Sequence, residues 1–260
     1  MNTNKCKIII EDRFRHFIDF FNIIADYQDK LFDSYLDNII KINIDERGPI
    51  CIYNMPYDEM RHNIYLAIGP RYPYQAAYQF SHEYSHIKMK FWKTYGVKEY
   101  YFKFFEEALA YCASIITMRY LSSAQDKSID LVMKRVDIDE YATNETNKVV
   151  PFLPSSMPEW LKNNFPDPLA SDFCCGSGQE YERERSKILG YHLIKYEYLE
   201  GFWKAASVLT EACSVNHESY PEPIEEFFDR WIRVCAPDAA KAVTAVRESL
   251  LSTSQEGQGS

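Results

Sequence analysis

No stretch of this chain approaches the roughly 18 consecutive apolar residues that a membrane-spanning helix requires. Positive charge is also scarce, with 29 Lys and Arg against 38 Asp and Glu for a net charge of −9. Without a basic tract to neutralise phosphates, nucleic acid is excluded as a main partner. The first 17 residues, MNTNKCKIIIEDRFRHF, contain neither the 7–15-residue apolar core nor the cleavage site of a secretory signal. Cysteine is present in an odd number, seven, and scattered. That distribution suits free thiols in a reducing compartment better than a disulfide framework. Cys174 and Cys175 are adjacent and lack partners at CxxC spacing, so they make a poor metal site. These absences lead to the expectation of a cytoplasmic protein with neither membrane nor nucleic acid among its partners. They say nothing about its oligomeric state.

Aromatic residues are abundant. Twenty Tyr and sixteen Phe, in a chain that is 46% hydrophobic, provide a core of large rings with polar tips. A length of 260 residues suits one compact domain, or a domain with a helical extension. Lys7 to Glu11 reads as a short strand. Residues 12 to 42 carry Phe17, Phe20, Phe21, Ile24, Leu31, Tyr35 and Ile39 at helical spacing, which predicts one or two helices. Pro49 to Asn54 and Asn63 to Gly69 read as short strands. The stretch from 150 to 178 is rich in Pro, Ser and Gly and marks the main internal boundary. Helices are predicted beyond it at about 179–200, 201–213, 222–235 and 237–251. The organisation expected is an N-terminal part over 1–150, a connector or lid over 151–178, a C-terminal helical part over 179–252 and a disordered tail over 253–260. No internal repeat is evident, and the class is α+β, mostly α.

The chemistry begins at His82-Glu83-Tyr84-Ser85-His86. In the surrounding segment Tyr74 to Trp92, Ala76, Ala77, Phe80, Tyr84, Ile87 and Phe91 recur every three or four residues with no internal Gly or Pro, so a helix is predicted. Residues i and i+4 of a helix share a face, so His82 and His86 can converge on one metal ion. Glu83 beside them can reach a water on the open side of that ion and act as general base. Lys88, Lys90, Lys93, Lys98 and Lys103 cluster around the motif and read as a solvated helix face.

A catalytic zinc takes three protein ligands and keeps one position open. The next predicted helix, Lys98 to Leu121, follows a turn at Gly96. It carries the apolar stripe Tyr101, Phe104, Phe105, Ala108, Cys112 and Ile115, interrupted by Glu106 and Glu107. Both glutamates border the stripe at similar angles, and helical phase does not choose between them.

An HExxH motif followed after about 20 residues by a glutamate-bearing helix resembles the gluzincins, the zinc peptidases that include thermolysin and the zinc aminopeptidases. Glu106-Glu107-Ala108-Leu109-Ala110-Tyr111 is similar to the aminopeptidase pattern Asn-Glu-Gly-Phe-Ala-Glu. The resemblance makes Glu107 the third ligand and Ala110 the small residue that lets the helices approach; Glu106 is the alternative ligand. It departs at Tyr111, where thermolysin has an acidic residue four positions after the ligand. The ImmA/IrrE-type regulatory metallopeptidases, with HExxH and a later Glu-x-x-Ala helix, are a weaker match. The implied architecture is zincin-like: a small N-terminal sheet, an active-site helix, a glutamate helix and a C-terminal helical part. Residues 63 to 69 are expected to form the sheet edge that aligns an extended substrate.

The resemblance also implies a Zn2+ cofactor, a peptide or protein substrate and a donor for the oxyanion of the tetrahedral intermediate. The helix ERERSKILGYHLIKYEYLEG weakly resembles the one that carries a donor Tyr shortly before a Gly. Lys187 occupies that matching position, so Tyr191 is the candidate, with His192, Tyr181 and His217 as alternatives. The expected function is zinc-dependent peptide hydrolysis with Glu83 as general base. The alternatives are a regulatory or interaction protein on a zincin scaffold, or a conditional protease of defence, toxin or stress response that cuts one partner.

Overall fold

The computed structural model describes residues 7–35, 39–45, 49–53, 61–68, 72–90, 100–164, 178–213 and 223–252. Strand β1 (Lys7–Ile10) leads through a 3-10 turn (Asp12–Phe17) into helix α1 (Ile18–Leu31). Strands β2 (Ile39–Ile44), β3 (Ile50–Tyr53) and β4 (Arg61–Leu66) complete one mixed sheet in the order β1-β2-β4-β3. β1, β2 and β4 run parallel, and β3 lies antiparallel on the outer side of β4. Alternation along the strands buries Ile40 and Ile42 of β2 and His62, Ile64 and Leu66 of β4. The covering layer is α1 and α2 (Pro73–Lys88), which contribute Phe20, Phe21, Ile24, Ala76, Ala77, Phe80, Tyr84 and Ile87 to the same core.

Two expectations change here. The apolar spacing through Leu31, Tyr35 and Ile39 does not continue a helix, because α1 ends at Leu31 and Ile39 opens β2. Ile40 and Ile42 fit the period of a strand as well as that of a helix, and pairing to β1 and β4 decides the matter. Residues 63 to 66 do not form the sheet edge either. β4 is paired on both sides, and β3 is the edge strand nearest to it.

Helix α2 has Pro73 at its first position, where a missing N–H costs nothing. The side-chain amides of Gln75 and Gln79 both reach the Ala67 carbonyl, tying its first turns to the end of β4. Its back face is polar and buried. Gln28 of α1 donates to the Ser81 carbonyl at 2.9 Å and accepts from the Ser85 hydroxyl at 3.2 Å. Next to it, Asp29 accepts from the Tyr84 hydroxyl at 2.8 Å and forms an ion pair with Lys88. Lys88 is 0% exposed and also donates to the Ser34 carbonyl, so it is not part of a solvated lysine face. Lys103 is exposed as expected; Lys93 and Lys98 lie outside the described residues, as does the turn at Gly96.

Helix α3 (Tyr100–Ser123) is the longest element and joins two cores. Phe104 to Ile116 pack with the C-terminal helices, while Met118 and Leu121 enter the core under the sheet. Helices α4 (Lys127–Val132), α5 (Arg135–Asn147) and α6 (Met157–Asn164) follow. α6 falls inside the Pro-rich stretch, of which 165–177 lies outside the described residues. Helices α7 (Gly178–Ile194), α8 (Phe202–Ser207), α9 (Leu209–Cys213), α10 (Ile224–Val234) and α11 (Pro237–Leu251) complete the chain. α7 packs along α3 with Gly190 against it. A Cβ at Gly190 would stand 2.5 Å from the Ala108 carbonyl oxygen, so the contact requires glycine. The whole is α+β, mostly α. None of the described helices is long and apolar enough to cross a membrane.

The buried Asp29–Lys88 pair gives a stability test. Lys88→Met leaves a carboxylate buried without its counter-charge and is expected to cost about 3–5 kcal/mol in urea unfolding. The double variant Asp29→Asn/Lys88→Met leaves no unpaired charge and should recover much of that loss. Two single losses that simply add would show that the pair is not coupled.

Candidate metal centre

Helix α2 places His82 and His86 on the face opposite its polar clamp, with ring centroids 4.9 Å apart and planes at 80°. Helix α3 crosses that face in the antiparallel sense. His86 meets Glu106 near the start of α3, while Gln28 links the Ser81 carbonyl to the Thr117 hydroxyl further along. Between these contacts, on the same face of α3, stand Ala110 and Ala113, both fully buried. Small side chains there let the two helices approach.

The geometry separates the two glutamates. Glu107 Oε2 lies 3.2 Å from His82 Nε2, and its Oε1 lies 3.9 Å from His86 Nε2. Glu106 Oε1 lies 2.6 Å from His86 Nδ1, on the other side of the same ring. Successive helix residues diverge by about 100°, and that is how neighbours in sequence bracket one imidazole. The Glu106 contact makes His86 Nδ1 a donor and turns Nε2 toward Glu107. Glu106 is therefore placed to orient a ligand, and Glu107 to be one. No partner for His82 Nδ1 is found among the described residues. Tyr111, in the acidic residue's place, donates to the Glu145 carbonyl at 3.3 Å instead.

His82, His86 and Glu107 each offer a ligand atom, and those atoms lie within 4.8 Å of one another. Ligands about 2.1 Å from one ion stand roughly 3.4 Å apart in a tetrahedron, so the 3.2 Å contact already fits and the others need only small side-chain rotations. The three residues can hold a metal ion.

Charge favours a cation at this point. Burial acts to lower the His86 pKa, but Glu106 and Glu107 outweigh it and hold the ring at about 10. Burial pushes the Glu107 carboxyl up, yet His86, the hydrogen bond from His82, and Lys103 bring it to about 2. Glu83, 4% exposed, is different: burial lifts its carboxyl above the ordinary range, and the two histidines only partly offset this. The Glu83 carboxylate also accepts the backbone N–H of Cys51 on β3, which anchors it to the sheet edge.

The residues considered as oxyanion donors are placed as follows. Tyr191 is half-buried on α7 and packs against the core shared with α3, near Tyr111. His192 accepts or donates at 3.0 Å to the Ser249 hydroxyl of α11, and burial together with Lys195 lowers its pKa to about 4. The side chain of Tyr181 and all of His217 lie outside the described residues. Sequence reasoning missed the orienting role of Glu106. Scanned against protein-family models, curated proteins and solved structures, the chain matches no family, no curated relative and no solved fold.

The division of labour between the glutamates is testable through metal content. Glu107→Ala removes a ligand and should abolish stoichiometric metal in elemental analysis of protein reconstituted with zinc. Glu106→Gln should retain the ion but weaken it by about 10–100-fold in chelator competition, the usual scale for losing a ligand's orienting partner. Loss of metal with Glu106→Gln and retention with Glu107→Ala would reverse the assignment.

Proposed function

We propose that this chain is a zinc-dependent peptidase. The observation that carries the reading is the opposition of two histidine Nε2 atoms to the Glu107 carboxylate, with Glu83 beside them on the same helix. Three protein ligands of N and O type with an open side are the donor set of a catalytic rather than a structural zinc site. Zinc held there would supply Lewis-acid chemistry, acidifying a water and polarising a carbonyl.

The residues of the chain carry the proton. Glu83 takes a proton from the attacking water as the new C–O bond forms at the scissile carbonyl. It returns that proton to the amide nitrogen as the C–N bond breaks, so one carboxylate serves as base and then as acid. Its burial suits both halves, since a carboxyl with a raised pKa holds a proton long enough to deliver it. The Cys51 N–H holds the carboxylate in place. β3, paired only with β4 among the described residues, is the edge along which an extended peptide would lie.

Glu83→Gln is expected to retain zinc at the wild-type ratio while peptide-library cleavage falls to background. Chelator-sensitive cleavage that persists in this variant would sink the mechanism.

A further inference from the structure

Resting on the peptidase reading, we infer that Tyr78 supplies the hydroxyl that donates to the oxyanion as water adds to the scissile carbonyl. Tyr78, His82 and His86 occupy successive i+4 positions of α2, so the three side chains form one row along the face that meets α3. Tyr78 packs against both hydrophobic cores at their junction. Its ring meets Tyr141 of α5 edge-on at 5.7 Å, and Tyr141 is itself held by Tyr74 at 5.1 Å, one turn further back on α2. The ring is thus fixed by contacts on a rigid element, as a preorganised donor must be.

The hydroxyl is what distinguishes this ring. Tyr84 and Tyr111 direct theirs to Asp29 and to the Glu145 carbonyl, at 2.8 and 3.3 Å. Tyr78 has no hydrogen-bond partner among the described residues, although Glu145 and Glu107 both act on its hydroxyl. Burial first, then Glu145 and the other neighbours including Glu107, keep the phenol protonated. A protonated donor without an acceptor, one helical turn from a metal ligand, can meet an oxyanion that forms beside that ligand. Tyr191 occupies a different helix and neighbours Tyr111, so the two candidates can be tested separately.

The test compares wild type, Tyr78→Phe and Tyr191→Phe, each loaded with Co2+ so that metal content and the cobalt visible spectrum report the site directly. The probe is a mixture of phosphinic pseudo-tripeptides with varied flanking residues, whose tetrahedral P–O− imitates the oxyanion, titrated against that spectrum. Tyr78→Phe is expected to keep cobalt and wild-type thermal stability, since its hydroxyl satisfies nothing in the fold, and to bind the probe about 10–100-fold more weakly. Tyr191→Phe should bind as wild type does. Equal binding by wild type and Tyr78→Phe, or weakening confined to Tyr191→Phe, overturns the assignment while the metal site and the peptidase reading stand. A lowered melting temperature in Tyr78→Phe with unchanged probe affinity also overturns it, by showing that the hydroxyl is structural. Wild type that takes up no cobalt, or takes it up and ignores the probe, overturns the peptidase reading and this inference with it.

Discussion

The rotation of α2 about its own axis is the constraint on which the site depends, and two adjacent residues of α1 set it. Gln28 and Asp29 hold Ser81, Tyr84, Ser85 and Lys88, so the back of the helix is fixed by directional bonds rather than by apolar packing alone. Apolar contacts tolerate a small roll of a helix, whereas a buried ion pair and an amide bonded on both sides do not. Desolvating Asp29 and Lys88 is costly, and the attraction between them roughly offsets that cost. What the pair contributes is specificity of orientation: with positions 81, 84, 85 and 88 fixed behind, positions 82, 83 and 86 can only point forward. The histidines inherit their aim from the opposite face of their own helix.

The second element of precision is the Glu106-Glu107 pair. A helix that merely supplied one carboxylate would leave His86 free to spin about its ring bonds and to offer either nitrogen. Because Glu106 holds Nδ1 at 2.6 Å, the ring plane is fixed and Nε2 is turned toward Glu107. His82 has no such partner among the described residues. Its ring is steadied instead by the edge of His86 and by Glu107, so the two histidines are held by different means.

Much of this was legible in the residues. The HExxH helix, the glutamate helix and the four C-terminal helical segments follow from periodicities long enough to be unambiguous, as in Ala76 to Ile87 and Phe104 to Ile115. Short elements were not. Ile39, Ile40 and Ile42 fit both a helix and a strand, and only pairing with β1 and β4 decides. Lys88 reads as solvated because lysine usually is; its burial depends on Asp29, 59 positions earlier in the chain, and nothing local announces it. The edge strand was misplaced for a similar reason, since sheet order is a property of long-range pairing. Glu106 and Glu107 could not be separated because the phase of α3 against α2 is set by Ala110, Ala113 and the Gln28 bridge, which a helical wheel of α3 alone does not contain.

The charges at the candidate metal centre show what a bound ion would change. A structural cluster closes on itself, one cation for each anion, because unpaired charge at low dielectric is expensive. Here three carboxylates, Glu83, Glu106 and Glu107, surround two imidazoles, and the exposed Lys103 also acts on Glu107. Two of these groups respond to their surroundings: Glu83 is pushed toward its neutral form by burial, and His86 is held as a cation far above its usual range. The His86 shift registers the negative field of Glu106 and Glu107, whereas at Glu83 burial comes first and Glu107 adds to it. A divalent cation held by His82, His86 and Glu107 would take the place of the His86 proton and would relieve the repulsion that Glu107 exerts on Glu83. Glu83 would then be free to ionise, and in the proposed peptidase the base would become competent with the metal in place.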